Sequence, residues 1–403
     1  MTAPLLSVLV MVRDQAEDLR RALTSVLPAA DELVVVDTGS RDGTPEVAAE
    51  LGARVLTCAW TDDFSAPLNL GLEAVRGRWV LRLDADEALT APEPGPLREF
   101  LCGQGFLCGQ GLLACFTRRE EVSDDDRQGG LVAMRLLRLW RADQGLRYQG
   151  RYHEHFGDQL VRLSAATGLR ISESPVRMRH WGGAHRPELR RARMERAARL
   201  MELELRDRPG QLYHEIELGR TWSALGDPRG RPVLEQALAR VLEAAGQDRA
   251  PSIMAGPLLE HCLRAWEMPP ADRERLETLA LRWFPESLPL LDTLGARHFE
   301  DGRFAEAAAL YERMVRLAET GTYDPATAFS SRLLGDEPLL RLAVCRHREA
   351  RWREAERCYR RLLERYPGHP SGEANLEVLL RQKAELAGRR AVSGRSPERK
   401  RRS

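Results

Sequence analysis

Long apolar runs are missing from this sequence. None of its 403 residues lies in a stretch approaching the roughly 20 apolar residues that a spanning helix needs, so no membrane span is expected. The start, Met1 to Val12, has no basic region ahead of its apolar stretch and no cleavage site, and does not read as a signal peptide. Paired cysteines are missing too. Seven cysteines, an odd number without Cys-x-x-Cys spacing, argue against a disulfide framework or a zinc knuckle. A cytoplasmic location is the expectation. Charge of one sign is also absent: a net charge of +1 gives no overall field to draw nucleic acid or a membrane surface. The strong basic bias is confined to 389–403, which reads as a solvated, disordered tail, with an arm for an anionic partner as the other reading.

The composition that remains, 43% hydrophobic and 30% charged, is that of a globular protein, and the length suggests two or three domains. The first part alternates. Leu5 to Met11, Glu32 to Asp37, Arg54 to Thr57 and Val80 to Asp84 read as strands, and Ala16 to Val26, Thr44 to Leu51 and Ser65 to Val75 as helices between them. Strands alternating with helices of this length predict an α/β domain with a mixed, mostly parallel sheet covered on both faces. Ligands in such sheets sit beyond the carboxyl ends of the strands, where Asp37 and Asp84 fall. Beyond Ala88 an irregular segment or short helix is expected. The tandem Phe-Leu-Cys-Gly-Gln-Gly over 100–111 reads as a duplication in a surface loop. Leu112 to Phe116 and Val132 to Trp140 resume as strands.

Three carboxylates end the fourth strand: Asp84, Asp86 and Glu87. Clustered carboxylates repel one another and lose hydration on burial, and a divalent cation relieves both problems. Mg²⁺ or Mn²⁺ can be held by one or two of them, with water and a substrate phosphate completing the shell. On an extended segment Asp84 and Asp86 point the same way. The competing reading is a polar turn. The block Tyr148 to Phe156 is also dense in reactive groups. Its His153-Glu154-His155 lacks the i, i+4 spacing of a helical zinc site; on a strand the two histidines would share a face, and a hydrogen-bonded structural imidazole is the plain alternative.

From Pro187 the pattern turns helical. Leu294-Gly295, Ala307, Tyr311 and Met314 recur in spacing as Leu342-Ala343, Ala355, Tyr359 and Leu362, and Leu218-Gly219 with Trp222 opens another copy. Small residues where paired helices touch, with larger ones between, resemble the tetratricopeptide pattern. The expected division is a domain over 1–185, a helical repeat domain over 186–388 and the tail.

Val34 to Thr44, Trp60 to Ala66, Asn69 and Trp79 to Glu87, in that order, closely resemble the family-two (GT-A fold) glycosyltransferases, in particular a branch with a C-terminal tetratricopeptide region. Arg135 to Arg138 and Gly150 to Glu154 resemble that branch's later motifs. The resemblance implies inverting transfer of a sugar from a nucleotide-diphosphate donor. Asp37 would contact the nucleoside, Asp84 the ribose or sugar, and Asp86 the Mg²⁺ or Mn²⁺ on the diphosphate, with Asp84 and His180 as further candidate ligands. Arg13, Asn69 and Arg138 are the remaining candidate substrate contacts. The acceptor is unassigned; a protein or peptide held by the helical repeats is one candidate. Arg13-Asp14-Gln15 replaces the branch's usual Lys-Asn-Glu, Leu68 its Arg, and His180-Trp181-Gly182-Gly183 lacks its Tyr. Each departure concerns donor contacts or packing.

Inversion needs a group to take the acceptor's proton. Glu154, His153 and Asp158 are the candidates, with Glu154 and His153 ahead because Asp158 reads as part of a polar turn. Glu154 could instead pair with Arg151 or Arg138 and only shape the loop. The alternative for the whole domain is a catalytically inactive scaffold carrying the repeats. Retention of Asp37, Asp84, Asp86 and Glu154 speaks for the enzyme.

Overall fold

The computed structural model describes residues 4–91, 94–103, 111–121, 134–181, 189–325 and 329–393. The alternating part forms β1 (Leu6–Val12), α1 (Ala16–Val26), β2 (Glu32–Asp37), α2 (Thr44–Glu50), β3 (Arg54–Thr57), α3 (Ser65–Ala74) and β4 (Trp79–Asp84). It continues with β5 (Glu87–Ala91), α4 (Pro94–Cys102), β6 (Leu112–Glu121), β7 (Met134–Arg141), α5 (Gln159–Thr167) and β8 (Arg170–His180). The eight strands form one sheet in the order β3-β2-β1-β4-β7-β6-β8-β5. β3, β2, β1 and β4 are parallel, and β6 and β8 are parallel, while β7 runs against β4 and β6 and β5 against β8. The sheet is therefore mixed and mostly parallel.

β1 shows why its sequence is a continuous apolar run. Leu6, Val8, Val10 and Val12 pack in one core with Leu19, Leu23 and Val26 of α1; Leu9 packs in the other, with Leu68 and Leu72 of α3. A strand buried on both faces cannot alternate apolar with polar. Close packing also fixes small residues: a Cβ on Gly71 would lie 2.3 Å from a Leu9 methyl, and one on Gly77 2.6 Å from the Ser7 nitrogen.

Two expectations need correction, and one open alternative, a strand over 148–156, is decided. The Asp-Ala-Asp stretch is not one extended segment: β4 ends at Asp84, and Ala85-Asp86 is a turn into β5. The 148–156 block is not a strand: one isolated bridge joins Gln149 to His155, and between them Gly150 and His153 turn the chain with φ of 99° and 54°. The first copy of the duplicated hexapeptide is not surface loop either, because Phe100 and Leu101 close α4 and are buried in the core. Its second copy, the acidic 124–126, Gly182-Gly183 and 394–403 of the basic tail lie outside the described residues.

The helical part comprises α6 (Arg190–Asp207), α7 (Leu212–Leu225), α8 (Gly230–Glu243), α9 (Ala255–Ala265), α10 (Pro270–Trp283), α11 (Leu288–Glu300), α12 (Phe304–Thr320), α13 (Asp336–Arg348), α14 (Trp352–Arg365) and α15 (Pro370–Ser393). It is an extended all-α repeat region of tetratricopeptide type. Gly295 on α11 faces Tyr311 on α12, where an added Cβ would lie 2.7 Å from the ring. At the equivalent place Ala343, Ala355 and Tyr359 pack together between α13 and α14. α7 and α8 form the third such pair, with Gly219 against Leu234 and Gly230 against Ser223. No helix among the described residues is long and apolar enough to cross a membrane.

By contact, the chain forms two compact units. The first is Met1–Gly246 with Ala250–Leu258 and Pro325–Ala328; the second is Gln247–Arg249, Leu259–Asp324 and Phe329–Ser403. α6, α7 and α8 thus belong with the sheet.

Candidate active site

The strand order places the site. From β1 the chain builds outward through β2 and β3, then returns to β4 on β1's other side. The carboxyl ends of β1 and β4 are a topological switch point, the usual ligand crevice of such sheets. Residues from both ends line one cavity of about 820 Å³: Arg13, Asp14 and Gln15 after β1, and Asp84 and Asp86 after β4. His180 at the end of β8 and Arg193 and Arg196 of α6 line it as well. A second cavity of similar volume shares Asp84, Asp86, Gln15, Phe64 and Tyr152 with the first, and adds Arg82, Arg138, His153, Glu154 and Tyr213. The two cavities meet at the Asp84–Asp86 turn.

The two aspartates have different surroundings. Arg138 on β7 donates to both oxygens of Asp84, at 3.1 and 2.5 Å, and Arg82 Nη2 donates to Oδ1 at 3.2 Å. Burial alone would push the Asp84 carboxyl up; Arg138 and Arg82 more than reverse this and hold it well below the usual carboxylate range. Glu87 is fully buried beneath them. Its Oε2 accepts the Asp84 N–H at 2.9 Å, and its Oε1 lies 3.5 Å from both Arg138 and Arg119. Burial raises the Glu87 carboxyl. Asp86 stands apart, with Oδ2 3.4 Å from His180 Nε2. The β5–β8 pairing brings these two together: Glu87 is in register with His180, and the Trp181 N–H donates to the Asp86 carbonyl at 3.0 Å.

Asp86 and His180 offer a carboxylate and an imidazole to one cavity. That donor set suits Mn²⁺ better than Mg²⁺, which prefers an all-oxygen shell. Among the described residues no group of three or more His, Cys, Asp or Glu could hold a metal. Asp86 and His180 supply two donors, so a cation held there would need a substrate phosphate and water to complete its shell.

Glu154 pairs with neither Arg151 nor Arg138 but with Arg82, and both side chains are about nine-tenths buried. Arg82 is charged despite burial because Glu154 and Asp84 flank it. His153 lines the same cavity, and burial lowers its imidazole pKa, only partly offset by Glu217 at 3.8 Å. Asp158 lies outside the cluster, exposed and paired with Arg162 at 2.9 Å.

Arg82 is one residue that sequence reasoning misses. The signal was there: a lone cation inside the apolar run Trp79–Asp84 is rarely buried without a partner. Two candidates, Asp37 and Asn69, line neither cavity. Asp37 is buried and accepts from the Gly39 and Ser40 N–H groups and the Ser40 hydroxyl. Asn69 uses both ends of its amide on the Tyr148 main chain, at 3.0 and 2.8 Å.

Residues 7–147 match the profile of glycosyl transferase family 2. A TPR repeat-containing protein of Synechococcus elongatus is 37% identical over 240 residues, 56% of this chain and 57% of its own length. An uncharacterized glycosyltransferase of Rickettsia bellii is 33% identical over 85 residues, 21% of this chain and 29% of its own. The chain thus spans little more than half of the cyanobacterial relative and under a third of the rickettsial one. Among solved structures, glucosyl-3-phosphoglycerate synthase of Mycobacterium tuberculosis, in complex with Mn²⁺, UDP and glucosyl-3-phosphoglycerate, aligns with a TM-score of 0.32 and 19% identity. That alignment covers 56% of this chain and 81% of that one. The sheet-bearing part of the chain is a GT-A-like domain similar to glycosyl transferase family 2, and it is fused to a tetratricopeptide-like helical region.

Proposed function

We propose that the protein transfers a sugar, with inversion, from a nucleotide-diphosphate donor held over the Asp84–Asp86 turn to an acceptor hydroxyl in the second cavity. The observation that carries this reading is the junction of the two cavities at that turn, with Glu154 tied to it through Arg82. Asp84 would contact the ribose or sugar, and Asp86 with His180 would hold Mn²⁺ or Mg²⁺. When bound, the cation would offset charge on the diphosphate and so improve it as a leaving group. Arg13, Arg193 and Arg196 face the same cavity and add positive charge there.

Glu154 is the proposed base. The acceptor oxygen attacks the anomeric carbon from the face opposite the diphosphate; the carbon–oxygen bond to the phosphate breaks and its electron pair leaves with the diphosphate. The acceptor's proton passes to the Glu154 carboxylate and then to water. Arg82 orients that carboxylate toward the cavity. His153, which burial keeps neutral, is placed to donate or accept one hydrogen bond beside it. The helical repeats are the proposed site for holding a protein or peptide acceptor.

The test is a thermal-shift panel of UDP-, GDP-, ADP- and dTDP-sugars with Mn²⁺ or EDTA, on wild type and Asp86→Ala. One donor should stabilise the wild type only with the cation, and Asp86→Ala should lose that dependence while staying folded. Equal shifts with Mn²⁺ and EDTA would count against the cation site. No shift with any donor would favour an inactive scaffold. With the donor known, Glu154→Gln should keep donor binding and lose transfer by about a hundredfold or more, the scale of general-base catalysis.

A further inference from the structure

The loop that carries Glu154 has no helix or strand of its own, so its shape depends on what its main chain is bonded to. On one side the sheet domain holds it. Asn69 clamps Tyr148, the Ser65 hydroxyl donates to the Gly150 carbonyl at 2.6 Å, and the Phe64 N–H donates to the Arg151 carbonyl at 3.0 Å. On the other side two helices of the helical part hold it. Glu204 on α6 accepts the Arg151 N–H at 2.8 Å and is itself fixed by Gln211 and Arg208. His214 on α7 donates from Nε2 to the Tyr152 carbonyl at 3.0 Å. The two residues are 0% and 2% exposed.

These bonds fall on the two residues before His153, whose φ of 54° is uncommon for a residue with a Cβ. A conformation of that kind persists when its surroundings over-determine it. Tyr213 and Glu217, also on α7, flank the His153 ring, the former edge-on with centroids 5.3 Å apart. Past Glu154 the His155 main chain is bonded back to Gln149 in both directions, at 2.8 and 2.9 Å, so Glu154 sits between two fixed points.

We propose that Glu204 and His214 are positioning residues for Glu154, so that α6 and α7 are working parts of the transfer site and not only the start of a repeat array. The proposal rests on Glu154 being the base. Its physical ground is the steep dependence of proton transfer on geometry: misplacing a reacting group by about 1 Å can cost a hundredfold in rate. Buried main-chain donors and acceptors left without partners do not stay where they were. Glu204 and His214 touch neither Asp84 nor Asp86, so donor binding should be indifferent to them.

The test uses the full chain. Hydrogen exchange of 148–156 is measured beside slow hydrolysis of whichever nucleotide-sugar the thermal-shift panel selects. His214→Phe and Glu204→Leu should speed exchange across the loop and lower hydrolysis tenfold or more, with donor affinity within twofold of wild type. His214→Gln and Glu204→Gln, which keep a donor and an acceptor, should recover most of the rate. In a Glu154→Gln background, His214→Phe should cost nothing further, because both changes act through one group. Hydrolysis within twofold of wild type in His214→Phe, or full additivity with Glu154→Gln, would overturn the inference and leave the base in place. A wild-type rate for Glu154→Gln alone would remove the base, and this inference with it. Should His214→Phe fail to fold, His214→Asn, too short to reach the Tyr152 carbonyl, gives the same readings.

Discussion

The two compact units bury charge differently. In the first, Arg82, Glu87, Arg138 and Glu204 are almost inaccessible, and three of them meet at one turn. In the second, the packed pairs are made of Ala307, Tyr311 and Met314, or Ala355, Tyr359 and Leu362, while ion pairs such as Arg351–Glu354 and Arg360–Glu356 lie one turn apart along helix surfaces. Moving an ion out of water costs several kcal/mol even when it finds a partner, whereas an exposed pair contributes at most about 1 kcal/mol. The repeats are what a chain builds when packing alone must be satisfied. A buried network of this kind often adds less stability than an apolar core of the same volume, and this one sits where the two cavities meet.

The sharpest way to break this contrast is Arg138→Leu. It leaves Asp84 to Arg82 and Glu87 to Arg119, each without the cation the two carboxylates share, and removing one partner of a buried ion pair costs about 3–5 kcal/mol. Denaturant unfolding of that variant should show the loss; a change under about 1 kcal/mol would mean that the network is effectively solvated. The corresponding break in the repeats is steric. Ala307→Trp and Ala355→Trp each overfill a closed helix contact by about 1–3 kcal/mol, and an unchanged melting temperature in both would show that the pairs are looser than Gly295 and Tyr311 indicate.

Acid titration sharpens the comparison with smaller effects. The second unit has its own exception in Asp292, which burial pushes up to about 6 despite Arg341 at 3.1 Å. A raised carboxyl pKa means that the fold binds the proton more tightly than the unfolded chain. Stability from this group is therefore greatest at low pH and declines between about pH 4 and 6, by roughly 1–3 kcal/mol. His153 is shifted the other way, downward. Below about pH 6.5 the unfolded chain takes up a proton that the fold refuses, so stability falls on acidification. The difference in melting temperature between wild type and Asp292→Asn should change with opposite slope to that between wild type and His153→Gln. Parallel slopes would refute one assignment. Last, Arg351→Ala should alter stability by no more than about 0.5 kcal/mol.

Much of the first unit was legible. β1 to β4 are short β-branched runs between helices with ordinary starts and stops, and of the two strand-end aspartates Asp84 marks the crevice while Asp37 lines neither cavity. β8 was not, because Arg170, Glu173, Pro175, Arg177 and Arg179 disguise a half-exposed strand as loop. β5 was hidden by the acids before it. Within the site, Asp84, Asp86, His153 and Glu154 are legible as clustered reactive groups and His180 through the family resemblance, but nothing local reveals that Arg82 joins Asp84 to Glu154. Glu204 was out of reach for a different reason: on a helix rich in Arg and Glu it resembles any solvated side chain, and only tertiary contact distinguishes it.

The Asp86–His180 pair belongs to no single element. It exists because Glu87 finds His180 across the β5–β8 ladder, an antiparallel pairing between segments far apart in sequence. Such closures come late in folding, since the chain loses loop entropy before the contact repays it. They are also unforgiving: slipping the ladder by one residue would turn His180 to the sheet's other face. The proposed cation affinity would then be a gauge of strand register. On the cation site proposed above, a chain with its β1–β4 core collapsed and its helices formed would still bind no metal, and Mn²⁺ would begin to protect it during refolding only once the β5–β8 ladder had docked in frame.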